Sequence, residues 1–312
     1  MKVVVTGGAG FIGSHVTDAY VAAGHEVIVV DNLCTGKREN LNPKARFVEQ
    51  DILDPATAAL IRDERPDVLN HHAAQIDVRR SVADPLFDAR TNVLGTVALL
   101  DAARQGGVKK VLFVSSGGAV YGEQETFPAP ETHQTWPVSP YGVSKRSGEL
   151  YCHFFQAEYG LPFVAFRYSN VYGPRQDPHG EAGVVAIFSG KMLRDEPVTV
   201  NGDGKQTRDY VYVGDVARMS LRALEAGATG PVNIGTGIET DVNVLAETLR
   251  DVAGSRSEIA HGPAKGGEQR RSVVDIRRAR EVFGWQPEVP LRDGLARTVD
   301  FFRGRMGAAR SG

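Results

Sequence analysis

Tyr141 and Lys145 stand four residues apart in Tyr141-Gly142-Val143-Ser144-Lys145. That spacing puts a phenol and an ammonium on one face of a helix, one turn from each other. Pro140 suits the first turn of such a helix, and Ser139 can cap it. A phenol titrates at about pH 10 and is a poor base at neutral pH, but a neighbouring ammonium stabilises the phenolate. A positively charged redox ring would stabilise it further. Taken alone, Tyr-x-x-x-Lys reads more readily as a surface tyrosine beside a solvated lysine. Its position argues for chemistry: it follows Ser115-Ser116, at the end of the apolar run Val111-Leu112-Phe113-Val114. The carboxyl ends of strands are where open α/β sheets bind ligands.

The run Thr6-Gly7-Gly8-Ala9-Gly10-Phe11-Ile12-Gly13 follows the apolar segment Val3-Val4-Val5. Its glycines let the backbone turn sharply and approach a pyrophosphate, while a helix opening near Phe11 aims its first amides and its dipole at that anion. Asp31 ends the second apolar segment, Val27-Ile28-Val29-Val30. A carboxylate there can accept both hydroxyls of an adenosine ribose and repels a 2′-phosphate, which favours NAD over NADP. Lys37 and Arg38 lie close by and act against that preference unless they belong to a solvated loop. Asp51-Ile52, after a third segment at Phe47-Val48, fits a contact to adenine; Asp51 fits a helix N-cap equally well.

These groups need a scaffold, and the hydrophobic pattern supplies one. Val68-Leu69 and Phe163-Val164-Ala165-Phe166 join the segments above as brief runs apolar on both faces, separated by helical patterns near 11–23, 55–64, 84–105 and 140–159. Such runs suit parallel strands covered by helices on both sides, with right-handed crossovers. The fold class read from them is α/β, a doubly wound parallel Rossmann sheet with a smaller C-terminal substrate-binding lobe. The rhythm breaks near residue 168. Beyond it are expected helices near 184–195, 214–226, 241–253, 276–283 and 291–304, strands near 197–200 and 210–213, and a disordered tail from Gly307 to Gly312. The division is an NAD-binding domain over 1–168, with segments near 206–235 returning to it, and a second lobe over 169–312.

With 312 residues, 42% of them hydrophobic and 24% charged, the chain can bury a sizeable core. A net charge of -2 gives no general attraction to nucleic acid or to anionic membranes, so neither is expected as a partner. The two cysteines, Cys34 and Cys152, read as reduced thiols, and no Cys/His cluster has metal-ligand spacing, so no metal is expected. Neither a signal peptide nor an apolar run approaching the roughly 20 residues of a bilayer span is visible, and the expected location is the cytoplasm.

Taken in order, these motifs resemble the extended short-chain dehydrogenase/reductases and, within them, the UDP-glucose 4-epimerases. The resemblance rests on Thr6–Gly13, Asp31-Asn32-Leu33, His72-Ala73-Ala74-Gln75 with Ser81-Val82 and Pro85, and Asn92 with Gly95-Thr96. It continues through Ser115-Ser116 with Val120-Tyr121-Gly122, Tyr141–Lys145, the stretch from Arg167 to Arg175, and Arg208-Asp209-Tyr210-Val211. It implies NAD contacts from Gly7, Gly10, Phe11, Ile12, Asp31, Asn32, Asp51 and Ile52, and further ones from Ala73, Ala74, Gln75, Asn92, Ser115, Tyr141, Lys145 and Tyr168. Tyr141 would be the base, and Lys145 would also hold the nicotinamide ribose. Asn170 and Arg208 would meet the diphosphate of a UDP-sugar, with Val184, Val185 and Val200 flanking uracil. Asn92 reads equally as a bridge between helices, and Arg208 as an ion-pair member near Asp209. The helical patterns at 84–105 and 140–159 would pair across a twofold axis into a homodimer, or would simply cover the sheet.

Two departures stand out. Where the family commonly carries a hydroxyl residue touching the reacting sugar oxygen, this chain has Gly117, followed by Gly118. Ser116 is the nearest replacement, although strand alternation can aim it elsewhere; a water in the space left by Gly117 is the rival. The family's Arg-x-Gly-Asp diphosphate contact appears as Lys265-Gly266-Gly267-Glu268. Lysine keeps the charge but loses the bidentate fork, which Arg270 or Arg271 would then supply.

The reaction implied is reversible oxidation at C4 of the sugar through a 4-keto intermediate, with NAD retained. The nearest alternative is a UDP-glucuronate 4-epimerase, for which Gly117 would enlarge the sugar end and Arg175 or Arg194 would pair with the carboxylate. A 4,6-dehydratase would need an Asp-Glu pair where Gly118-Ala119 stand, and a simple dehydrogenase would accumulate NADH. From a different class, a non-catalytic NAD-sensing or nucleotide-sensing protein on this fold is the remaining reading.

Overall fold

The computed structural model describes residues 1–178, 183–264 and 269–308. Its first half runs β1 (Lys2–Thr6), α1 (Phe11–Ala22), β2 (Glu26–Asp31), β3 (Arg46–Glu49), α2 (Pro55–Glu64) and β4 (Val68–His71). It continues through α3 (Val78–Ala83), α4 (Pro85–Ala89), α5 (Gly95–Gln105), β5 (Lys110–Ser116), α6 (Pro140–Tyr159) and β6 (Phe163–Tyr168). The second half runs β7 (Asn170–Tyr172), α7 (Val184–Met192), β8 (Val198–Asn201), β9 (Thr207–Arg208), β10 (Tyr210–Tyr212), α8 (Val213–Glu225) and β11 (Gly230–Ile234). Last come β12 (Thr240–Asp241), α9 (Val242–Ala253), β13 (Ile259–Gly262), α10 (Arg277–Phe283) and α11 (Leu291–Ala308).

Because strands without polar alternation cannot leave either face wet, they lie between helical layers. The seven-stranded sheet has the order β11-β6-β5-β4-β1-β2-β3, and every pairing in it is parallel. Along β5 the pleat divides the core: Leu112 and Val114 pack with Val16, Tyr20, Val216 and Met219 of α1 and α8. Val111 and Phe113 pack with Leu99, Leu100, Cys152 and Phe155 of α5 and α6. The chain leaves β1 toward β2 on one side and returns to β4 on the other, so a crevice opens beyond Thr6 at the strands' carboxyl ends.

The second lobe has its own core, in which Val185, Phe188, Val198, Val200, Leu245 and Val299 are buried among α7, α9 and α11. Small two-stranded pairs, β7 with β10, β8 with β13 and β9 with β12, frame it. The return to the main sheet spans α8 and β11, and a second return that the sequence did not suggest, Ala279 to Trp285, packs into the same core layer. Among the described residues no helix is long and apolar enough to cross a membrane.

Two expectations change. The helix expected over 84–105 runs without interruption from Pro85 to Gln105 but widens into a π-helical turn at Arg90–Leu94, between α4 and α5. The wider turn brings Asn92 inside, and Thr96 Oγ1 donates to the Asn92 carbonyl at 2.6 Å. The tail expected to begin at Gly307 is helical through Ala308, within α11; its remainder, 309–312, lies outside the described residues.

Helix α6 starts as its sequence dictates, with Pro140 in the first turn and the Ser139 hydroxyl accepting from the Gly142 amide at 3.2 Å. It lies close against β5 because residue 148 lacks a side chain: a Cβ there would stand 2.4 Å from Phe113 Cζ. Gly148→Ala is therefore expected to cost about 1–3 kcal/mol of stability by overpacking, read as a lower denaturant midpoint. Adding Phe113→Leu should recover part of the loss.

Candidate functional site

The crevice floor is the glycine turn. Gly7 has φ +72°, and a Cβ on it would lie 2.6 Å from the Ala73 amide nitrogen. A Cβ on Gly13 would lie 2.3 Å from the Gly7 carbonyl oxygen. Both positions thus keep the backbone of β1, α1 and the end of β4 in contact. Gly10 caps α1 with no side chain, and the first turn of α1 carries no acidic residue. The amides of Phe11, Ile12 and Gly13 have no partner within the helix, which leaves them to an anion.

Asp31 stands at the far side of this turn, accepting from the Ala9 amide at 3.0 Å and the Leu33 amide at 2.8 Å. Burial holds its carboxyl above the ordinary range, opposed by those two bonds. Lys37 lies 3.7 Å from Asp177 and Arg38 pairs with Glu49, so both cations near Asp31 face other carboxylates. Asn32 donates to Asp51 at 2.6 Å. Asp51 caps a turn through the Leu53 amide, and the N-cap of α2 is Asp54, so the helix-cap reading of Asp51 is corrected. Ile52 is buried beneath Gly95, leaving its main chain alone for a ligand. The uncapped amides, the glycine contacts and the Asp31 carboxylate together fit the pyrophosphate and ribose of NAD.

At the other end of the crevice, Lys145 is 3% exposed and its ammonium donates to the Val114 carbonyl at 2.9 Å. The Phe113 ring lies 5.3 Å away and the Tyr141 ring 5.9 Å. Burial lowers the lysine to about 8, with the Asp88 charge opposing. The Tyr141 amide donates to Ser81 Oγ at 3.2 Å, docking the first turn of α6 on α3. His71 is held between Thr6 Oγ1 at 2.7 Å and Thr96 Oγ1 at 3.1 Å. His71 and its neighbour His72 are both driven down to about 3, by burial first and Lys145 second, so both are neutral. Among the described residues no group of three or more His, Cys, Asp or Glu could hold a metal ion.

Several residues expected at the ligand serve the protein instead. Asn92 accepts from the Gln75 amide at 2.8 Å and donates to the Gln75 carbonyl and Ser144 Oγ, so the bridging reading is the one observed. The Gln75 side chain is occupied by Asp77 and Asp88. Ser115 Oγ donates to Glu149 at 2.6 Å. The pleat therefore turns Ser116 to the α1 and α8 face, away from α6. The space beside Gly117 is tight, since a Cβ there would lie 3.0 Å from the Arg167 carbonyl oxygen and from Val274 Cγ1, whereas Gly118 has no atom within 4 Å of that position. The ring of Tyr168 stacks on Phe166 at 5.7 Å inside the core, which leaves its main chain to the crevice.

In the second lobe Asn170 is exposed on β7. Arg208 donates to the carbonyls of Thr207 and Gln269 at 2.7 and 2.9 Å, while Asp209 accepts from Thr236 and Gly237. Arg271 forms a bidentate pair with Glu239 at 2.9 and 2.8 Å and lies 3.8 Å over Phe127; Arg270 pairs with Asp203. Val185 and Val200 are core side chains, so any uracil contact there is with main chain, whereas Val184 is half-buried. Lys265 lies outside the described residues. The sequence reading missed the buried pair of Glu149 with Arg167, at 2.9 and 2.7 Å. Its signal was Glu149, four residues after Lys145 on the same helix face.

The model of the NAD-dependent epimerase/dehydratase family matches residues 3–235. A UDP-glucose 4-epimerase of Mycolicibacterium smegmatis is 47% identical over 311 residues, covering 98% of this chain and 99% of that protein. The crystal structure of a UDP-glucose 4-epimerase with UDP-glucose from Thermotoga maritima superposes with a TM-score of 0.96 at 50% identity, over 98% of this chain and 100% of the other. A Thermus thermophilus UDP-glucose 4-epimerase in complex with NAD gives 0.92 at 45% identity, over 97% and 99%.

The cradle's dependence on Gly13 is directly testable. Gly13→Ala is expected to push the Gly7 carbonyl aside and weaken NAD binding at least ~10-fold, a loss of about 1.4 kcal/mol. Calorimetric titration of cofactor-stripped protein measures it.

Proposed function

The chain belongs to the NAD-dependent epimerase/dehydratase family, and we propose that it interconverts UDP-glucose and UDP-galactose with a tightly held NAD. The observation that carries this reading is the buried Lys145 ammonium, bonded to the last apolar residue of β5 and one helix turn beneath Tyr141, at the same sheet edge as the glycine cradle.

NAD, when bound, would supply the redox capacity for reversible oxidation at C4 of the sugar. Tyr141 removes the proton of the 4-hydroxyl and gives it back. Lys145 stabilises the phenolate, and its fixed bond to Val114 keeps it from following the moving proton. His71 and His72 are neutral imidazoles, and the Lys145 ammonium lies 5.9 Å from the centre of the Tyr141 ring. Asn170 and Arg208 anchor the diphosphate, so the 4-keto sugar can turn while the nucleotide stays in place. Gly118, open where Gly117 is closed, is the position with space near the sugar. Ser116 has no part in this scheme.

The features that favoured a uronate are weakened. Gly117 is tightly enclosed, Arg175 pairs with Asp18 at 2.7 Å, and Arg194 pairs with Glu196 at 2.7 Å. A neutral hexose needs no free guanidinium. The assembly proposed is a cytoplasmic homodimer. Leu86 and Leu94 beside α5 and Val143, Leu150 and Phe154 along α6 are about half exposed or more, and the last three share a helix face. Next to them an open hollow of about 540 Å³ is lined by Pro85, Ala89, Val93, Val138 and Val143. Two α5–α6 pairs related by a twofold would cover this surface.

Incubation with UDP-glucose should give UDP-galactose by anomer-resolved NMR, without net NADH, while UDP-glucuronate remains unchanged. Tyr141→Phe should lower turnover by ~10²–10⁴-fold with NAD binding retained; near-normal turnover would exclude Tyr141 as the base. Leu150→Arg should shift the protein from dimer to monomer in light scattering.

A further inference from the structure

Helix α1 does more than offer its first amides. Phe11, His15 and Asp18 lie on one face of it, at positions i, i+4 and i+7. Phe11 stands in the turn that opens on the cradle, and its ring meets His15 edge to face at 6.1 Å. His15 Nε2 donates to the Pro174 carbonyl at 2.9 Å. One turn further on, one Asp18 oxygen lies 2.7 Å from the Arg175 guanidinium, while the other accepts from Asn42 at 2.7 Å. From the loop after β2, Lys37 lies 3.7 Å from Asp177. Three side chains of the cofactor side thus hold one short segment, 174–177, beyond β7.

That segment needs holding. Arg175 has φ +68°, a left-handed conformation that residues with a Cβ keep only where their surroundings impose it. Burial lowers the His15 pKa against the pull of the Pro174 bond, so the ring is a neutral donor. Gln176 then carries the geometry into the second lobe. Its Nε2 donates to the Val171 carbonyl at 3.3 Å. A Cβ on Gly183, the N-cap of α7, would collide with that same nitrogen. Val171 adjoins Asn170 and Gly183 adjoins Val184, the residues read above as contacts to the diphosphate and to uracil.

We propose that His15, with Asp18, is a positioning residue for the nucleotide of the substrate, an inference that rests on the reading of Asn170 and Val184 as UDP contacts. It moors the 174–177 segment to the cofactor helix and so sets where those two residues stand relative to the cradle. Helix α1 is a firm reference, since Val16 and Tyr20 on its inner face are buried in the core of the main sheet. The Lys37 pair is exposed and adds little. The His15 bond is part-buried, and cutting it leaves the Pro174 carbonyl without its imidazole donor. The segment can then shift, and with it both nucleotide contacts. The amides of Phe11, Ile12 and Gly13 precede His15 on the helix, so the cradle keeps its hold on NAD.

Calorimetric titration of the NAD-loaded protein with UDP reads the effect without turnover. His15→Ala is expected to weaken UDP binding about tenfold. His15→Gln, whose terminal amide can still reach the Pro174 carbonyl, should return it to within about threefold of wild type. NAD affinity should hold in both, and KM for UDP-glucose should rise in His15→Ala with kcat changed much less. If His15→Ala does not fold, Asp18→Asn replaces it, with a smaller expected loss of about threefold. Unchanged UDP affinity, or an equal loss of NAD affinity, would overturn the proposal and leave His15 a packing residue of α1. A protein that loses UDP in His15→Ala as expected, yet converts no UDP-sugar as wild type, would keep the mooring and discard the epimerase reading.

Discussion

A buried ammonium is the constraint around which the rest of this molecule is arranged. Lys145 has left water, and its cost is offset by a bond to the Val114 carbonyl and the faces of Phe113 and Tyr141. The Val114 carbonyl and the Phe113 ring both belong to β5, so together they hold α6 against that strand. Gly148 sets the height by admitting the Phe113 ring. Ser139, Ser81 and Asn92 set the rotation of the first turn. The phenol inherits its place from these contacts, since Tyr141 lies one turn from the lysine and has no freedom of its own to choose it.

The far half of α6 is fixed by a second buried charge. Glu149 receives Arg167, Arg146 and Ser115, which holds its carboxyl below the ordinary range against the cost of burial. Arg167 also donates to Tyr121 Oη at 3.0 Å and the Glu131 carbonyl, and Tyr121 reaches Asn233 on β11. Three sheet strands, the helix and the long connection after β5 are therefore tied at one point. A buried ion pair is weak evidence for stability, but it is directional. Here the direction matters, because it keeps the wall of the crevice in register with the lysine.

The sheet and its motifs were legible because they obey local rules. Apolar runs without alternation must be covered on both faces, and Gly7 and Gly13 stand where backbone approaches backbone. The Ser139-Pro140 start of α6 was readable for the same reason. What escaped was decided by tertiary geometry. Nothing in the pattern of 84–105 announces the π-helical turn that decides for the bridging reading of Asn92. Tyr168 and Val200 carry the right residue types at the right places, yet their side chains point into cores. Gly117 suggested free volume because glycine is small. Its neighbours, Val274 and the β6 carbonyls, come from segments far along the chain and fill that volume. The burial of Asp88 gave no signal, since an acidic residue in a short helix is ordinarily a solvated one.

The two ends of the crevice are prepared differently, and the difference bears on how each ligand is held. At the cofactor end the amides of α1 have no internal partner, so an arriving pyrophosphate displaces only water. At the nucleotide-sugar end the arginines read from the sequence as diphosphate contacts are already engaged: Arg271 by Glu239, Arg270 by Asp203, and Arg208 by two carbonyls. For Arg271 and Arg270 a diphosphate competes with a carboxylate, and its net gain is the difference between two charged pairings. Arg271 and Arg270 would each surrender a bidentate carboxylate. A preformed cofactor site beside an exchangeable substrate site is what a cofactor retained through many turnovers requires. The dinucleotide keeps all the binding energy its cradle offers, and the sugar nucleotide keeps only the surplus, which leaves it free to depart.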